Sequence, residues 1–215
     1  MKKFLAVAFL AMVASIGAGC TYNASVDAIK NVNVYSAYEE KIPGNFAIII
    51  DGDKSVMDVN ISPSTRACWT DTYEISFSNT FISSVKEANE HIFQSIAPRN
   101  TIPTVSEMEK DNLAGYIFIQ GKFFEPRISV NSGAWTAKAN VTVGIGFDYN
   151  IRDNKNNVIL TGSVSGERTH EDSIYLCSQA TEVINIAAQK AMRDVLERYG
   201  ERVSNSQKLR DAMKK

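Results

Sequence analysis

The chain has 215 residues with 23 basic and 24 acidic side chains, a formal charge of −1, and 44% apolar residues. That length suits one domain with a real core and would leave two domains small. The balanced charge and the lack of a basic stripe argue against nucleic acid as a partner. Beyond the opening residues, no apolar run approaches the roughly twenty residues that a bilayer-crossing helix needs.

Met1-Lys2-Lys3 is followed by an apolar run over residues 4–13 and by the small-residue stretch Ala14-Ser15-Ile16-Gly17-Ala18-Gly19 before Cys20. Residues 1–19 therefore read as a secretory signal peptide. Ala18-Gly19-Cys20 resembles the lipobox of bacterial lipoproteins, in which the cysteine sulfur takes a diacylglycerol and the new amino terminus takes a fatty acid such as palmitate. Gly17 stands where that motif prefers Leu, with Ile16 one place further back, and Gly17-Ala18-Gly19 also suits the ordinary signal peptidase. The resemblance implies lipidation at Cys20 and a membrane anchor, since two or more acyl chains hold stably where one does not. Thr21 replaces the Asp that retains enteric lipoproteins in the inner membrane, which implies the periplasmic face of the outer membrane.

Cys20, Cys68 and Cys177 are the only cysteines. An odd count in an exported chain asks for an explanation. If Cys20 carries lipid, Cys68 and Cys177 remain as one disulfide pair; the alternative is two separately buried thiols packing as small hydrophobes.

Residues 20–41 mix Asn, Ser, Ala and charges with scattered Val32, Val34, Tyr35 and Tyr38, and read as a lipid-anchored tether that becomes ordered towards its end. After Pro43-Gly44, Asn45-Phe46-Ala47-Ile48-Ile49-Ile50 is a buried strand, Asp51-Gly52-Asp53-Lys54 a turn, and residues 56–61 its hairpin partner. A polar connection over residues 62–72 leads to a short alternating segment, residues 73–77. Ser78 or Asn79 then caps a helix in which Phe81, Val85, Ala88, Ile92 and Ile96 fall at helical spacing, Ile82 and Phe93 widen the stripe, and Pro98 closes it. Residues 99–112 read as a loop with a turn of helix.

The second half is rich in strands. Tyr116-Ile117-Phe118-Ile119-Gln120 lies between Gly115 and Gly121, with Lys122-Phe123-Phe124-Glu125 continuing beyond a bulge. Along residues 135–152, Ala137, Ala139, Val141, Val143, Ile145, Phe147 and Tyr149 point one way, while Lys138, Asn140, Thr142 and Asp148 point the other, so one face is core and one is wet. Residues 153–157 form a polar turn, and residues 158–165 return as a hairpin strand. Val183, Ile184, Ala187, Ala188, Ala191, Met192, Val195 and Leu196 mark a second amphipathic helix that stops at Gly200. The order of elements predicts an α+β fold: an antiparallel sheet with two amphipathic helices packed on one face, as a single periplasmic domain over residues 42–200. Residues 201–215, with Arg202, Lys208, Arg210, Lys214 and Lys215 against Glu201 and Asp211, form a basic C-terminal tail.

Candidate chemistry is sparse. His91 falls in the first helix near its apolar stripe, where a packed or half-exposed histidine is the ordinary outcome. His170 lies in the polar run Arg168-Thr169-His170-Glu171-Asp172, which advertises no third metal ligand. Gly162-Ser163-Val164-Ser165-Gly166 has the pattern of a strand face, not of a nucleophile elbow. Gly144-Ile145-Gly146 sits inside an alternating strand and marks close backbone packing or curvature. No dinucleotide or phosphate-loop pattern occurs. No catalytic residue, metal or cofactor is expected. Tyr116, Phe118, Phe123, Phe124 and Trp135 crowd the strand-rich half on both faces; either a layer covers the second face or part of it is an exposed apolar patch.

Residues 148–152, the turn at 153–157, the strand Val158-Ile159-Leu160-Thr161-Gly162 and the alanine-rich segment over residues 186–196 resemble the closing half of small outer-membrane assembly lipoproteins, the YajG-like and lipopolysaccharide-assembly lipoproteins. The likeness covers roughly residues 113–200 and its motifs are generic. It implies a non-enzymatic envelope lipoprotein acting as an accessory or assembly factor, with the membrane and an envelope protein as partners and self-association left open. The alternative is a binding module for a small apolar or glycan ligand that uses the aromatic strand-rich half as its pocket.

Overall fold

The computed structural model describes residues 19–65, 67–133 and 135–214. Residues 1–18, on which nearly all of the expected signal peptide falls, lie outside the described residues. The elements in chain order are β1 (Thr21–Ser25), β2 (Ile42–Asp51), the helical turn α1 (Lys54–Met57), β3 (Asp58–Ile61), β4 (Thr72–Ser76), α2 (Ser78–Ile92), β5 (Phe93–Pro98) and α3 (Val105–Lys110). The long strands β6 (Gly115–Ser132), β7 (Ala137–Asp153) and β8 (Val158–Ile174) follow, then a 3-10 turn (Cys177–Gln179), α4 (Ala180–Ser204) and α5 (Gln207–Ala212).

The fold is α+β. Its main sheet has the order β5-β2-β6-β7-β8. β6, β7 and β8 form the antiparallel meander expected from their alternation, but β2 lies parallel to both β5 and β6, so the sheet is mixed. The parallel pairs follow from the crossovers: α2 carries the chain from the first strands to β5, and α3 returns it to β6.

The odd positions of β7 from Ala139 to Ile151 are all buried. On β6 the buried set changes parity, from Ile117 and Ile119 to Phe124, Ile128 and Val130. The register shift between Gly121 and Phe123 is the cause, because one extra residue moves every later side chain to the other face. Phe123 is thereby left on the outer face, where its ring lies across Gly146: a Cβ built there would meet the ring at 2.3 Å. Of the close backbone packing or curvature expected at Gly144-Ile145-Gly146, it is close packing that is found, at Gly146, with the Phe123 ring in the space a side chain would take.

α2 and α4 pack on one face of this sheet. Phe81, Val85, Ala88 and Ile92 of α2 are buried, as are Val183, Ile184, Ala187, Ala188, Ala191 and Met192 of α4. Each large apolar side chain buried in this way contributes about 1.5–3 kcal/mol. Phe81 and Tyr199 both meet Phe147 edge to face, at 5.7 and 5.5 Å between ring centroids. The opposite face is partly covered by α3, whose Met108 joins Ala47, Ile49, Leu113 and Tyr116 in a second small cluster with Phe118 against it. A capping box fixes the start of α3: Thr104 and Glu107 bond to each other's backbone.

Several expectations change. Residues 56–61 do not pair with β2: Met57 turns into the core, and β3 pairs antiparallel with β4 instead. β4 also pairs parallel with β1, giving a separate sheet of order β1-β4-β3. The stripe read as continuing to Ile96 breaks at Phe93, where the chain becomes extended and forms the edge strand β5. β8 runs nine residues beyond Ser165, so His170 lies within a strand.

Residues 20–41, read as a tether, are docked. β1 is followed by the buried side chains Val26, Ile29 and Val32, and the segment is tied to both helices by Ile29 N–H donating to Ser84 Oγ (2.9 Å) and Asp27 N–H donating to Asn185 Oδ1 (3.3 Å). Nor does the second helix stop at Gly200. It continues to Ser204, and the missing side chain at Gly200 makes room for Val34, whose nearest methyl would lie 2.9 Å from a Cβ there. The expected basic tail carries α5, capped by Ser206 and seated through buried Leu209 and Arg210.

Candidate functional site

The sequence candidates Cys20, Cys68 and Cys177 come together at one end of the molecule. Cys20 immediately precedes β1, and its backbone is fixed on both sides: its N–H donates to Asp71 Oδ1 at 3.0 Å and its carbonyl accepts from Thr72 N–H at 2.9 Å. The Cys20 thiol is free and the residue is exposed. Its neighbour in the next turn, Asp71, is buried and closes a tight loop by donating its N–H to the Cys68 carbonyl at 3.0 Å. Cys68 itself has φ of 58°, a left-handed conformation that is uncommon outside glycine and is held here by the loop around it.

Cys68 and Cys177 are bonded to each other, with their Cα atoms 5.8 Å apart across a sequence separation of 109. The Cys68 loop is held against the last part of β6 by Ser64 N–H donating to the Ile128 carbonyl and Val130 N–H donating to Thr65 Oγ1, at the sheet end where β8 finishes and the chain runs on to Cys177, and this brings the two cysteines within reach. Tyr73, fully buried on β4, donates its hydroxyl to the Cys177 carbonyl at 2.8 Å and packs on Tyr22, with ring centroids 5.6 Å apart. Burial, followed by the Asp71 carboxylate, pushes the Tyr73 phenol well above its ordinary value. Tyr22 is also raised, first by its hydrogen bond with the Cys20 side chain, then by burial and by Asp71. Both phenols stay neutral donors at ordinary pH.

Cys68, Asp71 and Cys177 lie close enough for one ion to touch all three. With the two sulfurs bonded to each other, neither is a thiolate, and the oxidised protein has no ligand set there.

The remaining candidates are spread apart. His91 is on the outer side of α2, 3.5 Å from Glu87 Oε1. His170 is on β8, with Nδ1 3.1 Å from Lys190 Nζ of α4. The aromatic residues do not converge on a pocket. Tyr116 and Phe118 belong to the cluster under α3, Phe124 is stacked on Phe77 in the main core with centroids 4.2 Å apart, Phe123 covers Gly146, and Trp135 projects from the β6–β7 turn. An open groove of about 630 Å³ runs between β3 and the outer faces of β6 and β7; its lining includes Ile61, Ser64, Arg127 and Thr142. The Arg127–Glu167 ion pair borders it.

Asp71 was not visible from sequence as a partner of Cys20. A turn of the form Cys-x-x-Asp ahead of a strand was the available signal, but the pairing of β1 with β4 that brings Cys20 to it is a long-range event.

No family model matches the chain, and no curated protein resembles it in sequence. In structure the chain is similar to a Xanthomonas campestris protein of the family DUF330, with a TM-score of 0.42 and 11% identity over 84% of this chain and 91% of that one. It is also similar to a neuraminyllactose-binding hemagglutinin homologue from Helicobacter pylori, with a TM-score of 0.45 and 9% identity over 84% and 97%. A minor lipoprotein from Acinetobacter baumannii has a TM-score of 0.39 and 8% identity over 74% and 90%. These likenesses do not single out the YajG-like or lipopolysaccharide-assembly families, and no residue of this chain takes a role from them.

Proposed function

We propose that this chain is a non-enzymatic lipoprotein of the bacterial cell envelope, acylated on Cys20 and held at the periplasmic face of the outer membrane, where it works by binding another envelope protein. The observation that carries the reading is the state of the three cysteines: Cys68 and Cys177 are joined, and Cys20 is free and exposed at the head of β1. An anchor there would leave no reactive thiol in an oxidising compartment.

Binding, as opposed to turnover, is supported by how the polar side chains are used. The two histidines are engaged singly, by Glu87 and by Lys190, on different surfaces. An accessory or assembly role, of the kind implied by the resemblance to YajG-like and lipopolysaccharide-assembly lipoproteins, fits an α+β fold with an anchor at its first strand.

Crosslinking in intact envelopes, followed by purification of the acylated protein, tests the reading. One reproducible protein partner is the expected result. A small ligand that copurifies with no protein partner would overturn it in favour of a ligand-binding module.

A further inference from the structure

We propose that the end of the molecule around Cys20 is a membrane-docking surface, on which Trp69, Trp135, Tyr175 and Leu176 enter the headgroup region of the bilayer and fix the orientation of the domain. The inference rests on Cys20 being the point of lipid attachment, and adds what the surrounding surface does.

All four side chains are strongly exposed: Trp135 by 93%, Tyr175 by 76%, Trp69 by 68% and Leu176 by 66%. The fold gathers them. Trp69 directly follows Cys68 and Leu176 directly precedes Cys177, whose Cα atoms the disulfide holds 5.8 Å apart, so the two residues lie on neighbouring stretches of chain. β7 and β8 end together in the pair Ala137↔Ile174; Tyr175 is the next residue on one strand, and Trp135 lies two residues before the start of the other. The turn bearing Trp135 is closed by Gly133 N–H donating to the Thr136 carbonyl at 2.8 Å. The loop of Trp69 reaches the same strand end, because Ser64 N–H donates to the Ile128 carbonyl and Val130 N–H to Thr65 Oγ1. Cys20 joins the group through Asp71 and Thr72.

The backbone that presents these side chains is tied down. The N–H groups of Tyr175 and Leu176 both donate to Gln179 Oε1, at 2.7 and 3.2 Å, which leaves the side chains pointing outward from a fixed strand end. Large apolar side chains gathered on an exposed surface mark an interaction site.

Lipid is the occupant that the position of Cys20 selects. Because residues 20–41 are docked and β1 begins at Thr21, no spacer separates an acyl chain on Cys20 from the folded domain. This end would then rest at headgroup level whatever its composition, and Trp and Tyr are the residues that favour that layer, with an apolar body and a polar tip. Lys138 near the tip is paired with Glu171 across the β7–β8 ladder, so its charge is already matched within the protein.

Trp69 and Trp135 are the only tryptophans in the chain, so intrinsic fluorescence reports on this end alone. The mature chain, coupled through the Cys20 thiol to a maleimide lipid, is bound to phosphatidylcholine vesicles and examined as Trp69→Phe and Trp135→Phe variants that each keep one tryptophan. The expected result is a blue-shifted emission from each, quenched by lipids brominated near the top of the acyl chain and largely protected from aqueous iodide. Vesicle-bound protein whose tryptophans remain as open to iodide as in the lipid-free chain would overturn the proposal. So would protection from iodide before vesicles are added in a chain that sediments as a dimer, since a second copy would then cover the patch. The lipid is attached chemically, so this outcome is independent of whether cells acylate Cys20, which fatty-acid labelling reports separately.

Discussion

Tyr199 of α4 donates its hydroxyl to Asn89 Oδ1 of α2 at 2.7 Å, with both side chains fully buried between the two helices. Asn89 in turn donates Nδ2–H to the Val85 carbonyl of its own helix at 2.8 Å. Burial pushes the Tyr199 phenol far above its ordinary value, so it remains a donor through the alkaline range. Tyr199→Phe keeps the ring contacts with Phe147 and Tyr149 but strands Asn89 Oδ1. The expected cost is about 1–3 kcal/mol, the desolvation penalty of an unpaired buried acceptor. Urea denaturation of Tyr199→Phe, Asn89→Ala and the double variant checks this: the double should cost less than the sum of the singles.

The Cys68–Cys177 bond closes a loop between cysteines 109 positions apart. In the chain-entropy model such a loop stabilises by roughly 4–5 kcal/mol, a large share of a domain's total. Cys68→Ala and Cys177→Ala are expected to lower stability about equally, with the double variant no worse than either. Denaturation with and without reductant measures it, and alkylation of denatured, never-reduced periplasmic protein should find no free thiol at either position.

Docking of residues 20–41 changes which amides are protected. Ile29 N–H is buried on Ser84 Oγ, so hydrogen exchange should show it protected to nearly the level of the β7 core, whereas a tether would exchange at once. Gly200→Leu, which drives a side chain into Val34, should lower stability by about 1–3 kcal/mol and expose residues 32–38 to exchange, even though leucine favours a helix over glycine.

Asp153 organises the β7–β8 turn. Its Oδ1 accepts from the N–H groups of Lys155 (2.9 Å) and Asn157 (2.7 Å), and its Oδ2 from Asn157 Nδ2 (2.9 Å). Partial burial raises the carboxyl, but the bonds from Asn157 and Lys155 outweigh it and hold the group below the ordinary carboxylate value. A lowered folded value means that this stabilisation is full above the unfolded pKa of about 3.9 and is lost as the pH falls through the folded value. The gap in stability between the native chain and Asp153→Ala should therefore be wide at about pH 7 and narrow below about pH 3. Urea midpoints across that range check the sign.

β7 was legible in the sequence because its odd positions from Ala137 to Ile151 are uniformly apolar while Lys138, Asn140, Thr142 and Asp148 on the other face are polar, and α4 was legible through its stripe of alanines. β5 was hidden because Phe93 and Ile96 continue the phase of α2, and only the parallel pairing with β2 decides that they are extended. The second half of β8 was hidden for a different reason: Glu167, Arg168, His170 and Glu171 look like a loop, yet charges are what a strand at the open edge of a sheet carries. In residues 20–41 only every third residue is buried from Val26 to Val32, too thin a pattern to set against the polar composition. Of the candidate site, the three cysteines were visible in the sequence, whereas the gathering of Trp69, Trp135, Tyr175 and Leu176 depends on two strands ending in register and on one disulfide.

Acylation of Cys20 underlies both the proposed anchor and the docking surface. Growth of cells expressing the native chain and Cys20→Ser with labelled palmitate, followed by mass spectrometry of the amino-terminal peptide, measures it directly. The native protein should carry label on a peptide that begins at acylated Cys20 and should fractionate with the outer membrane, and Cys20→Ser should carry none. A native protein that takes up no label, or that begins at Cys20 with its thiol unmodified, would contradict the proposed anchor.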